Sequence, residues 1–193
     1  MIVGEVGPGV SVRERLLDAA SRLFYANGMS ATGIDAITAE AGVAKMSLYN
    51  NFSSKEKLAL AYLEARHEEW LGLYRARVDG AHSPADRVLA VFDAYIDHAS
   101  AEYEHGFRGC GLLNAAAELP VGAPGRDAVR RHKEEVEEIL VDHLRDMGAP
   151  NPAETAEHLS FLLEGAMSRA GLEGTSNRLR RARQLADSML AAL

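Results

Sequence analysis

Between Ile34 and Asn50 the sequence places side chains that can read a nucleic acid. Lys45, Met46, Ser47, Tyr49 and Asn50 follow a glycine at position 42 and surround one internal leucine, Leu48. Lysine and hydroxyl groups suit phosphate oxygens, asparagine can pair with a base edge, and an apolar side chain can meet a thymine methyl. Ile34 to Tyr49 reads as helix, glycine-containing turn, helix, with Ile34, Ile37 and Ala41 turned inward and Val43 and Leu48 closing against Leu23 and Phe24. That is the layout of a helix-turn-helix, whose second helix enters a major groove.

Chemistry of other kinds has little footing. There is no Rossmann glycine pattern, no Walker loop and no His-Glu-x-x-His pair, so neither a dinucleotide, a nucleotide phosphate nor a catalytic zinc is expected. Ser54-x-x-Lys57 matches a penicillin-binding fragment but lies within a capping box and lacks the companion motifs. His98, Glu102 and His105 would share a helical face only if the helix continued past Glu104, which the glycine at 106 opposes. The expectation is a protein without catalytic residues, cofactor or metal.

The elements that position the basic and polar set read as helices throughout, because apolar residues recur at helical intervals and sustained alternation is missing. Ser11 with Glu14 is a capping box opening a first helix that Asn27-Gly28 stops. Short helices follow from Thr32-Gly33 to Gly42 and from Ala44 to Asn50. Ser53-Ser54-Lys55-Glu56, a second capping-box signature, opens a long helix to about Val78. Ser83-Pro84 starts a helix to Ser100, a glycine-punctuated joint spans His105 to Gly111, and Leu112 to Glu118 is a short helix. Pro120 to Gly125 is a loop, followed by helices over Asp127 to Met147, Asn151 to Ala170 and Asn177 to Leu190. The fold class is all-α.

Composition agrees with that assignment. The 193 residues are 47% hydrophobic and 25% charged, as in an ordinary globular protein. A lone cysteine, Cys110, forms no internal bridge and points to a reducing compartment. Neither a signal peptide nor a run of roughly 18 apolar residues is apparent, so a cytoplasmic protein without a membrane partner is expected. Net charge is -7, against general nucleic-acid binding, yet residues 11–60 carry +1 and the remainder -8. The two parts therefore face different partners.

The amino-terminal third resembles the TetR family of bacterial transcriptional regulators. The resemblance is carried by Leu23-Phe24-Tyr25-x-x-Gly28, Thr32, Ile37, Ala41-Gly42-Val43, Lys45, Leu48-Tyr49 and Phe52-Ser53-Ser54-Lys55-Glu56-Lys57-Leu58, in that order and spacing. It implies a flexible amino terminus over 1–10, a three-helix helix-turn-helix DNA-binding domain over 11–57, and a larger helical domain over 58–193 for effector binding and dimerisation. It further implies a homodimer on a pseudo-palindromic double-stranded operator, acting as a repressor released by a small-molecule effector. Carried over by residue, Lys45, Met46 and Asn50 face base edges, while Thr32, Ser47, Tyr49 and Lys55 hold phosphates. Lys55 lies in the first turn of the long helix, whose amino end attracts anions. Met46, Asn50, Asn51 and Gly33 depart from the commonest family residues, which bears on the operator sequence. Phe52 is expected to pack.

In the family the middle helices enclose the effector. Trp70, Tyr74, Phe92, Tyr95, Tyr103, Cys110, Asn114 and Phe161 are this chain's candidates, with His98, His105 and Glu118 able to orient a ligand. An alternative input is thiol modification of Cys110. The last two helices, apolar at Leu159, Leu162, Leu163, Met167 and from Leu179 to Leu190, with small residues at Gly165 and Ala166, are the expected dimer interface.

Overall fold

The computed structural model describes residues 9–193, so the expectation for residues 1–10 falls, up to residue 8, outside the described residues. The described residues form α-helices and no strand: α1 (Val12–Asn27), α2 (Ile34–Glu40), α3 (Lys45–Asn51), α4 (Lys55–Val78), α5 (Pro84–Ser100), α6 (Gly111–Ala117), α7 (Pro124–Asp146), α8 (Pro152–Glu173) and α9 (Asn177–Leu190). None is long and apolar enough to cross a membrane.

The local starts and stops follow side-chain chemistry. At α1 the Ser11 hydroxyl accepts from the Glu14 N–H (3.2 Å) and the Glu14 carboxylate accepts from the Ser11 N–H (2.8 Å), a complete capping box. At α4 the cap is Ser54, one residue later than expected, because its hydroxyl accepts from the Lys57 N–H (3.3 Å). Ser83 caps α5 through the Asp86 N–H, with Pro84 in the first turn. α7 opens at Pro124 rather than Asp127, since a proline in the first turn sacrifices no helical hydrogen bond. α8 runs past the expected Ala170 and ends where Gly174 adopts a left-handed conformation (φ 67°).

The helices sort into two compact units. The first holds the chain up to Arg66 with Glu102–His105 and Gly111–Val129; the second holds His67–Ala101, Gly106–Cys110 and Arg130–Leu193. The division thus falls inside α4, between Arg66 and His67. In the first unit Leu16, Ala20, Phe24, Ile37, Leu48, Leu58 and Tyr62 are buried, with Phe24 edge-on to Tyr62 at 5.5 Å. In the second, Val88, Phe92, Leu140, Leu144, Leu159, Leu163, Met167, Leu179 and Ala186 are buried, and α9 packs between α5 and α8.

Candidate nucleic-acid interface

The turn between α2 and α3 is held from α1. Arg15 donates from Nη2 to the carbonyls of Ala41 (2.6 Å) and Gly42 (2.9 Å), the last carbonyls of α2 and its turn. Gly42 has φ 62°, a conformation costly for other residues, and a Cβ there would stand 2.9 Å from Arg15 Nη2. Arg22 links α1 to Glu40 (3.0 Å) at the end of α2. Leu48 is fully buried and anchors α3. No local pattern marks Arg15 for this role, which is set by a contact 26 residues away.

With Leu48 inward, α3 turns its other side chains outward. Met46 is 67% exposed and Tyr49 44% exposed, and Lys45 and Asn50 are exposed beside them. Large exposed apolar groups on a short helix are costly to keep unless something covers them. Lys45 Nζ sits 2.8 Å from Asp35 Oδ1, and that hydrogen bond holds the lysine pKa above its ordinary value. Ser47 is half-buried and its carbonyl accepts from Asn51 Nδ2 (2.8 Å). Lys55 is half-buried at the first turn of α4. Phe52 is buried under the Arg13 guanidinium, 4.9 Å from the ring centroid, as its packing role requires.

Thr32 is placed differently from the phosphate-binding expectation. It is buried, and its hydroxyl donates to the Gly28 carbonyl (2.7 Å), so the side chain holds the α1–α2 turn rather than facing outward. Glu118 also serves that turn, accepting from the Met29 N–H (2.9 Å) and the Ser30 N–H (2.6 Å). Burial opposes its charged form, but these donors outweigh it and hold the carboxyl below its usual range.

The predicted ligand set divides between the units. Trp70, Tyr74 and Tyr95 come together in the second: Trp70 stacks on Tyr74 at 5.5 Å and lies 5.3 Å from Tyr95. Phe92 is buried in the same unit, and so is Cys110. Three members do not join this cluster. Tyr103 stacks on Tyr25 in the first unit (4.5 Å), Asn114 is exposed on α6, and Phe161 is 65% exposed on α8.

Beside Trp70 runs a partly buried polar chain, centred on buried Tyr95 and His132, that no local pattern in the sequence marks. Lys133 Nζ, 2.6 Å from Glu164, can only donate to the Tyr95 hydroxyl (3.3 Å). The Tyr95 proton is then free to go to His132 Nε2 (3.4 Å), which makes Nδ1 the protonated nitrogen of His132. His132 Nδ1–H donates to His67 Nδ1 (2.9 Å), leaving the His67 Nε2–H to face Glu135 (3.5 Å). Burial, then the nearby Lys133 and His67, push the His132 pKa down to about 3. Burial likewise raises Tyr95. The Trp70 indole nitrogen is buried with no hydrogen-bond partner.

Comparison with known proteins places this architecture. Residues 16–62 match the family model for bacterial regulatory proteins of the tetR family, and residues 84–186 match that for a tetracycline-repressor-like C-terminal domain. A crystal structure of a TetR-family transcriptional regulator from Streptomyces coelicolor is 32% identical, with a TM-score of 0.86 over 94% of this chain and 95% of that one. The HTH-type transcriptional repressor KstR2 of Mycolicibacterium smegmatis is 28% identical over 136 residues, 70% of this chain and 64% of that protein. The HTH-type transcriptional activator FasR of the same organism is 35% identical over 101 residues, 52% of this chain and 44% of its own length. The helix-turn-helix held by Arg15, and the two matched domains that together account for most of its length, show that this chain belongs to the TetR family of bacterial transcriptional regulators.

Proposed function

We propose that the chain acts in the cytoplasm as a homodimeric repressor that binds a pseudo-palindromic operator and is released by a small molecule. It works by binding, not by catalysis. The observation that carries this reading is α3, a helix whose one buried anchor leaves Lys45, Met46, Tyr49 and Asn50 exposed together. Lys45, Met46 and Asn50 read base edges; Ser47, Tyr49 and Lys55 hold phosphates; and Thr32 sets the entry to α2. Residues 11–57 form the DNA-binding domain and residues 58–193 the effector and dimerisation domain. Two α3 helices reach successive major grooves when roughly 34–36 Å apart, or a multiple of that. The effector shifts the population toward a dimer whose spacing does not fit.

The effector meets the second unit at Trp70, Tyr74 and Tyr95, where the buried indole N–H supplies a donor for a ligand acceptor. An unpaired buried donor costs roughly 1–3 kcal/mol, which an acceptor on the ligand would recover. The test is binding of the purified protein to the DNA upstream of its own gene at two salt concentrations, with an unrelated duplex as competitor. Specific binding that weakens steeply with salt is expected, because phosphate contacts release counterions. Tyr49→Ala with Lys55→Ala should abolish it while the dimer stays folded; intact binding by that variant would sink the assignment.

A further inference from the structure

We propose that the first unit carries a binding cavity of its own for a small, neutral, apolar molecule. The cavity has a volume of about 340 Å³ and is walled by Met29, Leu60, Leu63, Leu119 and Pro124. The space opens to solvent on one side, and its inner wall is apolar, so a guest can enter and bury its own apolar surface there. An apolar cavity of about 150 Å³ takes up benzene, and roughly twice that volume admits a substituted ring or two fused rings.

The chemistry of the lining selects a neutral guest. The polar groups at its edge are engaged: the Glu118 carboxylate accepts from Met29 and Ser30, and the Ser54 hydroxyl accepts from Lys57. Four charged residues line it, Lys55 and Lys57 against Glu56 and Glu118, and they cancel. An ionic ligand would meet as many like charges as opposite ones in this lining, whereas an apolar one gains the area it removes from water. The wall is tight where Gly125 approaches Leu119 and Leu63, since a Cβ there would come within 2.6 and 3.2 Å of their methyls. Leu119 has no slack on that side, so a guest that presses on it also bears on the adjacent Glu118, which clasps the α1–α2 turn. Occupancy becomes a second input to the helix-turn-helix; that consequence rests on the operator reading, while the cavity itself does not.

Titration of the full-length protein with toluene, followed by methyl and amide NMR, tests the cavity without any DNA. Saturable shifts are expected at the Met29, Leu60, Leu63 and Leu119 methyls, with the Met29 and Ser30 amides moving in step. Benzoate and benzylammonium, of similar size but charged, should bind at least ten-fold more weakly. Ala59→Leu, which fills the cavity from α4, should weaken toluene at least ten-fold, and Ala123→Leu fills it from the opposite wall should the first variant misfold. Absence of saturation, shifts centred on second-unit methyls such as those of Leu140 and Leu163, tighter binding of either ion, or undiminished binding in a folded filling variant would each overturn the proposal.

Discussion

Lys45 in the free protein is held by Asp35 at 2.8 Å, with both side chains exposed. A base edge must take Lys45 from that carboxylate, and the carboxylate also repels the DNA phosphates. Asp35→Asn should therefore tighten DNA binding several-fold at low salt, an effect that fades as salt screens it. Lys45→Ala should weaken operator binding by about 1–3 kcal/mol and relax its specificity, whereas Lys55→Ala should reduce the slope of log K against log salt by about 1. Fluorescence anisotropy on a labelled duplex reads all three, and a weaker Asp35→Asn protein would show instead that Asp35 positions Lys45 productively. His132 makes a prediction about pH. Its pKa is pushed down to about 3 in the folded chain, whereas the unfolded chain takes up the proton near 6.5. Between those values the unfolded state binds more protons, so this contribution is intact above pH 6.5 and is lost as pH falls, at up to about 1.4 kcal/mol per unit. Urea midpoints should drop from pH 7 to pH 5 in the native sequence, and less steeply in His132→Gln, which is weaker overall but carries no titrating ring. Equal slopes would mean that His132 is not the group that resists protonation.

At the scale of elements, α8 contains two glycines with opposite roles. A Cβ on Gly171 would lie 2.7 Å from the Gly109 Cα and nitrogen and 2.9 Å from the Arg108 carbonyl carbon, all backbone atoms that cannot swing aside. Gly171→Ala should lower stability by about 1–3 kcal/mol as the joint over Gly106–Cys110 is forced off the helix. At Gly165 a Cβ meets nothing within 4 Å inside the chain, so Gly165→Ala should add roughly 0.5–1 kcal/mol of helix stability to the isolated subunit, and thermal melts of the two variants should move in opposite directions. These contrasts mark where sequence reading stops. Periodicity and capping are local, so α1 with its Ser11–Glu14 box, the short α2 and α3, and the exposure of Met46 and Tyr49 follow from the residue pattern. Ser53 and Ser54 both satisfy the capping pattern, and only the backbone path shows that Ser54 serves. Arg15 on the turn after α2 and Glu118 on the turn before it act across 26 and 88 to 89 residues, distances over which spacing carries no information. The aromatic set is legible as aromatic but not as partitioned: Tyr103 packs on Tyr25 while Tyr74 and Tyr95 meet around Trp70.

For the whole molecule the decisive surface lies on α8 and α9. Leu159, Leu163 and Met167 face inward and are buried, yet Phe161 is 65% exposed and Leu172 87% exposed on the same helix, with Leu185 exposed on α9. In the homodimer proposed above, Phe161 would be an interface anchor rather than a pocket wall, and the open space at Gly165, one turn further along, would let a second helix approach closely. Buried aromatic anchors dominate the energy of such interfaces, and replacing one by a carboxylate leaves an unpaired charge where water is excluded. Phe161→Glu should accordingly raise the dimer dissociation constant at least a hundred-fold, about 3 kcal/mol, without lowering subunit helicity. The consequence for DNA separates assembly from recognition. A pseudo-palindromic operator is bound tightly because the first half-site brings the second α3 to its target at high effective concentration. The monomeric variant should lose specific operator binding while keeping the weak, salt-sensitive attraction of Lys45 and Lys55 for any duplex. Sedimentation equilibrium and anisotropy on one preparation test both halves: a Phe161→Glu protein that remains dimeric at micromolar concentration would remove α8 from the interface, and a monomer that still binds the operator specifically would remove the requirement for two recognition helices.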